Sequence, residues 1–416
     1  METNRPFART LCLPIALAAA LLQAVAAEAA PPIDCSSPDN LCTGDPCTIG
    51  GSHGVVSPCT VDFGARAVVV KGKLRVPNAG SLSFSAGSIE VRPTGRINGS
   101  HTQKSAGDGA QISLGSTGQL AVHGVIDVSA RTTPGTISLS AGGDADLERA
   151  VLRASAIPGA ATASGGSITV LAGGGLTTAL SQRIGKIEAT GAAKRRVGRT
   201  TPGGEVSLTA TGSGSLESKS PIRVQGSTGG TVELDGSADV TITQSINAAG
   251  RDVGGVIGVS GDTIDAVKPC RLIVKGKIGG SVALSSDGTL SVIAVDAKGG
   301  SSTGVGGTVT LTSASGNIVT GSASAKHPEN AKGRYVIAGG RHGTGGSLLA
   351  ATTAGNIELF GSFDGRPGGK IEGHADGDLD AEGKFRVAPG GCIGLSATGA
   401  LTTAGDFDTT VTPSCP

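Results

Sequence analysis

A hexapeptide of two glycines followed by x-Val-x-Leu recurs along almost the whole chain, and residues 306–311 (GGTVTL) are a representative copy. Close copies begin at Gly165, Gly203, Gly229, Gly279 and Gly390. Looser copies begin at Gly80, Ala110, Gly135, Gly255, Gly346 and Gly369. Measured from Ala110 to Gly391 between the residues that directly precede each x-Val-x-Leu segment, most successive copies lie 22–27 residues apart, and three longer intervals indicate insertions. A period of this length is typical of repeat proteins whose units stack on one another.

Each repeat carries two further apolar steps after its hexapeptide. In the repeat that starts with residues 279–284, these steps are residues 288–290 (GTL) and the pair Val295 and Ala297. All three steps alternate with period two, so each predicts a short strand with one buried face. Because one repeat cannot bury its own apolar face, consecutive coils must stack. The sequence predicts an all-β, right-handed parallel β-helix of about thirteen coils, each with roughly 22–27 residues and three short strands.

The composition fits a solenoid and argues against several ligand classes. The 416 residues include 70 glycines, which we expect at the left-handed or tight corners of the coils. Low-complexity disorder is the alternative explanation for this much glycine, but the regular Val, Ile and Leu spacing disfavours it. With no Trp, one Tyr and seven Phe, the chain offers few rings for stacking sugars or bases. The net charge of +1 does not favour any particular class of partner. Nucleic-acid binding is not predicted.

The N-terminus has the features of a secretory signal. Arg5 and Arg9 precede an apolar run at residues 11–22, and A-x-A cleavage sites end at Ala26 and Ala29. The apolar run is too short to span a bilayer, and no later segment resembles a transmembrane helix. We therefore predict that residues 1–29 are a signal peptide and that the protein is secreted or on the cell surface, with the periplasm as a further option.

Cysteines mark both ends of the predicted solenoid. We assign residues 30–64 to a cysteine-rich cap and residues 65–416 to the β-helix. The cap holds Cys35, Cys42, Cys47 and Cys59. In an exported protein these four predict two disulfides, whose pairing the sequence leaves open among three arrangements. A four-thiolate zinc site is the alternative, but the spacing lacks paired C-x-x-C steps. Cys392 and Cys415 lie one coil apart and predict a disulfide that staples the last turn, which leaves Cys270 as the odd thiol.

Two of the longer repeats carry basic insertions. The first contains Lys194, Arg195, Arg196 and Arg199. The second contains Lys326, His327, Lys332, Arg334, Arg341 and His342. Because loops on a rigid scaffold often carry function, these segments are candidates for contact with an anionic glycan or lipopolysaccharide. Solvated loop charge is the favoured interpretation, partly because the two insertions leave the coil at different corners.

Acidic residues near the C-terminus suggest two further hypotheses. Asp376, Asp378 and Asp380 alternate and could bind calcium, but the loop lacks the glycine and glutamate of an EF-hand. An outward polar row on a strand is the favoured interpretation. A polysaccharide lyase or hydrolase would need carboxylates on adjacent coils, to which Asp265 and Glu372 could also contribute. No specific catalytic motif occurs, so we predict no catalytic residue and no cofactor.

The order GG-x-V-x-L, then G-x-[LI], then I-x-A-x-G resembles the glycine-rich repeats of secreted bacterial β-helix proteins of the filamentous-haemagglutinin and adhesin type. The likeness covers residues 65–410, and residues 306–311 with 316–318 are a representative copy. This resemblance implies an exported, non-catalytic protein with a structural or surface-binding role, whose partner is an anionic polysaccharide or another cell-surface component. A β-helix polysaccharide lyase or hydrolase is the alternative.

Overall fold

The protein is described from a computed structural model, which covers residues 32–101, 107–157, 163–178, 185–192, 201–266, 268–321 and 333–416. Short parallel strands dominate these residues, and a single 3-10 turn occurs at Pro38–Asn40. Among these residues every strand pairing is parallel and joins a strand to the equivalent strand one coil away, as Ser281–Ser286 joins Thr308–Ser313. The predicted all-β parallel β-helix is confirmed.

The strands form three faces, and each coil contributes one strand to each face. The first face is a fourteen-stranded sheet built from the double-glycine hexapeptides. Its strands are Cys59–Asp62, Ser81–Ala86, Gln111–Ser116, Thr136–Ala141, Ser167–Ala172, Glu205–Ala210, Thr231–Gly236, Val256–Gly261, Ser281–Ser286, Thr308–Ser313, Ser347–Thr352, Lys370–Ala375, Cys392–Ala397 and Val411–Thr412.

The second face follows the first along the chain and contains the G-x-[LI] steps. Its strands are Cys47–Ile49, Ala67–Val70, Ser88–Val91, Leu120–Val122, Ala145–Asp146, Leu176–Thr178, Leu216–Ser218, Val240–Ile242, Ile264–Ala266, Leu290–Val292, Ile318–Thr320, Ile357–Asp364, Leu379–Arg386 and Leu401–Thr403.

The third face contains the apolar-x-apolar steps. Its own strands are Ser52–Gly54, Lys73–Arg75, Arg96–Asn98, Val125–Asp127, Val151–Arg153, Lys186–Glu188, Ile222–Arg223, Ile246–Asn247, Leu272–Ile273, Ala294–Asp296, Arg334–Val336 and Asp406–Phe407. Ile357–Asp364 and Leu379–Arg386 run through the corner between the second and third faces, at Gly361 and Gly383, whose φ angles are positive. A short extra pair, Gly226–Thr228 and Gly250–Val253, lies at the corner that follows the third face.

The core is a set of ladders in which like residues stack from coil to coil. On the first face Val282, Val309 and Leu348 are in register, and all three are almost completely buried. Near the C-terminal end the third face carries an aromatic ladder of Tyr335, Phe363, Phe385 and Phe407. Burial of these inward residues is the main source of stability, since a single coil has no core of its own.

Close backbone contact between coils explains the double glycine. The N–H of Gly307 donates to the carbonyl of Ala297 at 2.7 Å, which bends the chain from the third face into the first. A Cβ on Gly306 would lie 1.8 Å from the carbonyl oxygen of Ile337, and a Cβ on Gly307 would lie 2.1 Å from that of Gly280. Neither glycine has a positive φ. Of the two expected roles, left-handed or tight corners, the tight corner applies at these glycines, because the requirement is space for the neighbouring coils.

The stack begins earlier than the sequence predicts. Cys47–Ile49 pairs with Ala67–Val70, and Cys59–Asp62 pairs with Ser81–Ala86, so the cysteine-rich segment already forms a coil before residue 65. Cys47 and Cys59 are fully buried at positions where later coils place aliphatic residues. Sequence patterning missed this coil because cysteines replace two residues of its apolar ladder and no double glycine precedes its first-face strand.

Three disulfides occur among the described residues. They join Cys35 to Cys59, Cys42 to Cys47, and Cys392 to Cys415. The first two tie down the N-terminal coil, and the third fixes the last residues against the first face. Cys270 is a free, buried thiol.

The predicted signal peptide, residues 1–29, lies outside the described residues. Within the part of the chain that is described, no helix has the length and apolar character needed to cross a membrane.

Candidate functional site

Most of the predicted anion-binding residues lie outside the described ranges, although Arg334, Arg341 and His342 of the second insertion lie within them. The residues outside the ranges are Lys194, Arg195, Arg196 and Arg199 of the first insertion, with Lys326, His327 and Lys332 of the second. The first insertion connects Ala192 to Thr201, and both of these residues are buried at the corner between the third and first faces. The second insertion connects Gly321 to Gly333, between strands of the second and third faces. The two insertions therefore leave the coil at different corners.

The corner that receives the first insertion also contains a concentration of cations. Five basic residues from four consecutive coils line it, and we call this surface the basic groove: Arg223, Arg251, Lys275, Lys277 and Lys298. Backbone hydrogen bonds hold these turns in register. Gly250 N–H donates to the Lys275 carbonyl at 2.9 Å, and Gly276 N–H donates to the Lys298 carbonyl at 3.2 Å.

The basic groove consists of two adjoining depressions with volumes of about 590 and 240 Å³. Arg251 and Lys275 line both of them. The floor is mainly glycine backbone and small side chains, including Ala192 next to the first insertion. Glu188 is the one carboxylate among the lining residues. The groove is therefore shallow, positively charged and without an aromatic ring in its lining.

Few carboxylates balance this charge. Asp252 accepts hydrogen bonds from Arg251 at 2.7 Å and from Lys277 at 2.8 Å, and these bonds lower the pKa of its carboxyl to about 2. Glu188 lies 2.8 Å from Lys186 Nζ and 3.8 Å from a guanidinium nitrogen of Arg223. Each of these two carboxylates lies close to at least two cations but carries a single negative charge, so the surrounding positive charge is only partly balanced.

Two lysines of the groove are available to a ligand. Among the described residues Lys275 and Lys298 make no ion pair within 4 Å, although they lie on neighbouring coils. Coils repeat at about 4.8 Å. A linear polymer with closely spaced anionic groups can therefore contact several of these cations at once, whereas an isolated small anion can contact only one or two.

Sequence reasoning missed this groove because its cations are single residues in separate repeats. A signal was nevertheless present. When the repeats are aligned on the inward pairs of the third face, Lys275 and Lys298 occupy the same position, three residues after Leu272 and Val295. The pattern of apolar ladders thus also predicts which outer side chains become neighbours, once the register is known.

The acidic run near the C-terminus is divided between a turn and a strand. Asp376 and Asp378 precede the strand Leu379–Arg386, so the prediction that all three carboxylates alternate along one strand is wrong. The Asp378 carboxylate accepts the Ala400 N–H at 2.7 Å, while its own N–H donates to Asn356 at 2.8 Å. Asp378 therefore satisfies the backbone of the next coil. No group of three or more potential metal ligands occurs in the described ranges.

The carboxylates considered for an enzyme do not converge. Asp265 and Asp380 lie on the second face several coils apart, and Glu372 lies on the first face. Burial raises the pKa of Asp265. Glu358, which the sequence did not indicate, is in register with Asp380, and its pKa is raised by burial and then by the charge of Asp380. These carboxylates therefore form one pair on adjacent coils, Glu358 and Asp380, rather than a cluster.

A hydroxyl–imidazole pair on the first face was also missed. His374 Nδ1 lies 2.7 Å from Ser396 Oγ, and His374 Nε2 lies 4.0 Å from Glu372. That carboxylate is beyond hydrogen-bond distance of the imidazole and also lies 3.4 Å from Lys370 Nζ. The arrangement links neighbouring coils without a carboxylate positioned to orient the imidazole.

The chain matches no protein family, no curated protein and no solved structure. The resemblance to filamentous-haemagglutinin repeats therefore remains a prediction.

Proposed function

We propose that this protein is an exported, non-catalytic β-solenoid that binds an anionic polysaccharide or another anionic cell-surface component through the basic groove. One observation carries the proposal: cations from four stacked coils line a groove whose lining includes a single carboxylate, Glu188. Export is supported by the signal-like residues 1–29 and by three disulfides, which persist in oxidising compartments.

The groove suits an acidic polymer better than a nucleic acid or a neutral sugar. Single-stranded nucleic acids are commonly held by aromatic side chains that stack on the bases, and the groove lining contains none. Uronate or sulfate groups need cations and hydrogen-bond donors, which lysine and arginine supply. The first insertion begins at the rim of the groove, and we propose that Lys194, Arg195, Arg196 and Arg199 add to its charge.

The test is binding of the purified exported protein to polygalacturonate, with neutral dextran as the comparison polymer. We expect saturable, salt-sensitive binding to polygalacturonate alone. The double variant Lys275→Ala/Lys298→Ala should weaken it by about tenfold or more, because two cations that make no ion pair within 4 Å among the described residues are lost. Asp252→Asn should strengthen it, because the shared partner of Arg251 and Lys277 loses its charge.

The matched control is Lys73→Ala, which removes a cation from the third face in a coil far from the groove. Its affinity should equal that of the unaltered protein. A separate variant, Lys194→Ala/Arg195→Ala/Arg196→Ala, measures the contribution of the first insertion. Equal binding to dextran and polygalacturonate, or a groove variant that matches the control, would refute the proposal.

A polysaccharide hydrolase is the second candidate, and the in-register pair Glu358 and Asp380 favours it. A raised pKa on one of two neighbouring carboxyls is the arrangement that glycoside hydrolysis uses. Product analysis on every polymer that binds tests this alternative. Shortened sugars that disappear with Glu358→Gln would establish an enzyme, while intact polymer would leave the binding function.

A further inference from the structure

Exposed apolar side chains are concentrated in one place on the solenoid. Seven large hydrophobic residues are exposed in the described ranges, and four of them belong to three successive coils. These four, which we call the apolar ridge, are Val253, Val256, Ile278 and Val305, with exposed fractions of 36%, 45%, 49% and 40%. Single exposed valines are common on soluble proteins, whereas a contiguous exposed apolar patch usually marks an interaction site.

The ridge is built by the same coil register as the core. Val253 pairs with Ile278, and Ile278 pairs with Val305, through isolated parallel bridges. Backbone hydrogen bonds of 2.8 Å, from Gly254 to Ile278 and from Gly279 to Val305, hold these rungs together. Three β-branched side chains therefore form an ordered outward row, and Val256 lies at the start of the adjoining first-face strand.

The ridge adjoins the basic groove. Arg251 precedes Val253 by two residues, and Lys277 directly precedes Ile278. Asp252 lies between the cations and holds both of them through its hydrogen bonds. The same coils thus present a row of cations and, alongside it, a row of exposed aliphatic side chains. A hydrophilic polysaccharide satisfies only the cations, because it has no apolar surface to cover the ridge.

We propose that the basic groove and the apolar ridge together dock the solenoid on an anionic lipid surface. In this arrangement the lysines and arginines contact headgroup phosphates, and the branched side chains enter the boundary between headgroups and acyl chains. The charge of the groove selects the anionic surface, and the ridge selects a lipid rather than a free polymer. The inference rests on the proposed function, because it uses the same basic groove. It identifies a membrane lipid as the molecule that bears the anionic group.

The experiment is co-sedimentation of the purified protein with vesicles of phosphatidylcholine that contain about 30% phosphatidylglycerol, and with vesicles of phosphatidylcholine alone. Polygalacturonate binding is measured on the same samples. The ridge variant is Val253→Ser/Ile278→Ser/Val305→Ser, and the groove variant is Lys275→Ala/Lys298→Ala. Circular dichroism checks that each variant keeps its strand content. Val56→Ser/Leu171→Ser is the control, because both side chains are similarly exposed elsewhere.

We expect binding to the anionic vesicles only. The ridge variant should lose about tenfold or more of its vesicle affinity and keep its polygalacturonate affinity, while the groove variant should lose both. Vesicle binding by the ridge variant equal to that of the control would overturn the inference, as would equal binding to neutral vesicles. Polymer binding without vesicle binding would overturn the inference alone, and vesicle binding without polymer binding would overturn only the polysaccharide function.

Discussion

The aromatic ladder offers the most direct test of how this solenoid is held together. Phe363 is almost fully buried, and its ring is stacked between Tyr335 at 4.9 Å and Phe385 at 4.7 Å, with interplanar angles of 12° and 8°. We predict that Phe363→Ala is severely destabilising, because the substitution removes the buried ring and leaves a cavity between two coils that backbone hydrogen bonds hold in place.

The expected magnitude follows from burial and stacking. Truncation of a buried phenylalanine to alanine costs about 3–5 kcal/mol of unfolding free energy. Each lost ring pair accounts for about 0.5–1.5 kcal/mol of this loss. Phe407 ends the ladder, is only partly buried and stacks on Phe385 alone at 4.7 Å. For Phe407→Ala we therefore expect about half the loss, roughly 1.5–2.5 kcal/mol.

The measurement is urea denaturation followed by circular dichroism on the unaltered protein and both variants. Because solenoid stability is a sum of coil and interface contributions, the Phe363 variant should also show a broader or split transition. A loss below about 1 kcal/mol for Phe363→Ala, or equal losses for the two variants, would contradict the reasoning, since either result would mean that ring burial between coils is not a major stabilising interaction.

Three further predictions concern single side chains. Burial raises the pKa of the Cys270 thiol to about 12. Iodoacetamide at pH 8 should therefore leave this thiol unmodified in the folded protein and alkylate it in guanidinium, and mass spectrometry measures the difference. The pKa of Asp252 falls from its usual 3.8 to about 2, so the stabilisation by its carboxylate is fully present above pH 4 and is lost as pH falls through 2. In urea denaturation, Asp252→Asn should therefore lose less than about 1 kcal/mol of unfolding free energy at pH 6, and this loss should vanish near pH 2. Asp378→Ala should lose about 0.5–1.5 kcal/mol in urea denaturation because the Ala400 N–H loses its acceptor, whereas Asp378→Asn should keep its stability and calcium should change neither.

The fold could be predicted because its determinants are local and periodic. Val309 and Leu311 alternate within one hexapeptide, and the same pair recurs in most repeats, so burial and stacking follow from the pattern alone. The first coil could not be predicted in the same way. Two of its inward positions are Cys47 and Cys59, which lack the aliphatic signature although they are buried just as completely.

The candidate site was less accessible to sequence reasoning, because it depends on the pairing of outer residues from different repeats. Arg251 and Lys277 are 26 residues apart and become neighbours only when the coils stack and Asp252 joins them. The ridge residues Val253 and Ile278 are likewise unremarkable in separate repeats. Runs of charge, such as residues 194–196, are easily recognised in a sequence. A row built from one residue in each coil can be recognised only when the register between the coils is known.

That register determines how the groove should respond to ligand length. The turns that carry Lys275 and Lys298 are fixed by hydrogen bonds between coils before a ligand arrives, so binding orders only the side chains and the polymer. Each further anionic sugar that reaches the next coil adds a contact at small extra entropic cost. Affinity for oligogalacturonates should therefore increase with length until the ligand spans four coils, about 15 Å, and then level off. Calorimetry on a length series measures this directly, and a monomer that binds as tightly as the longer chains would show that the cations act separately.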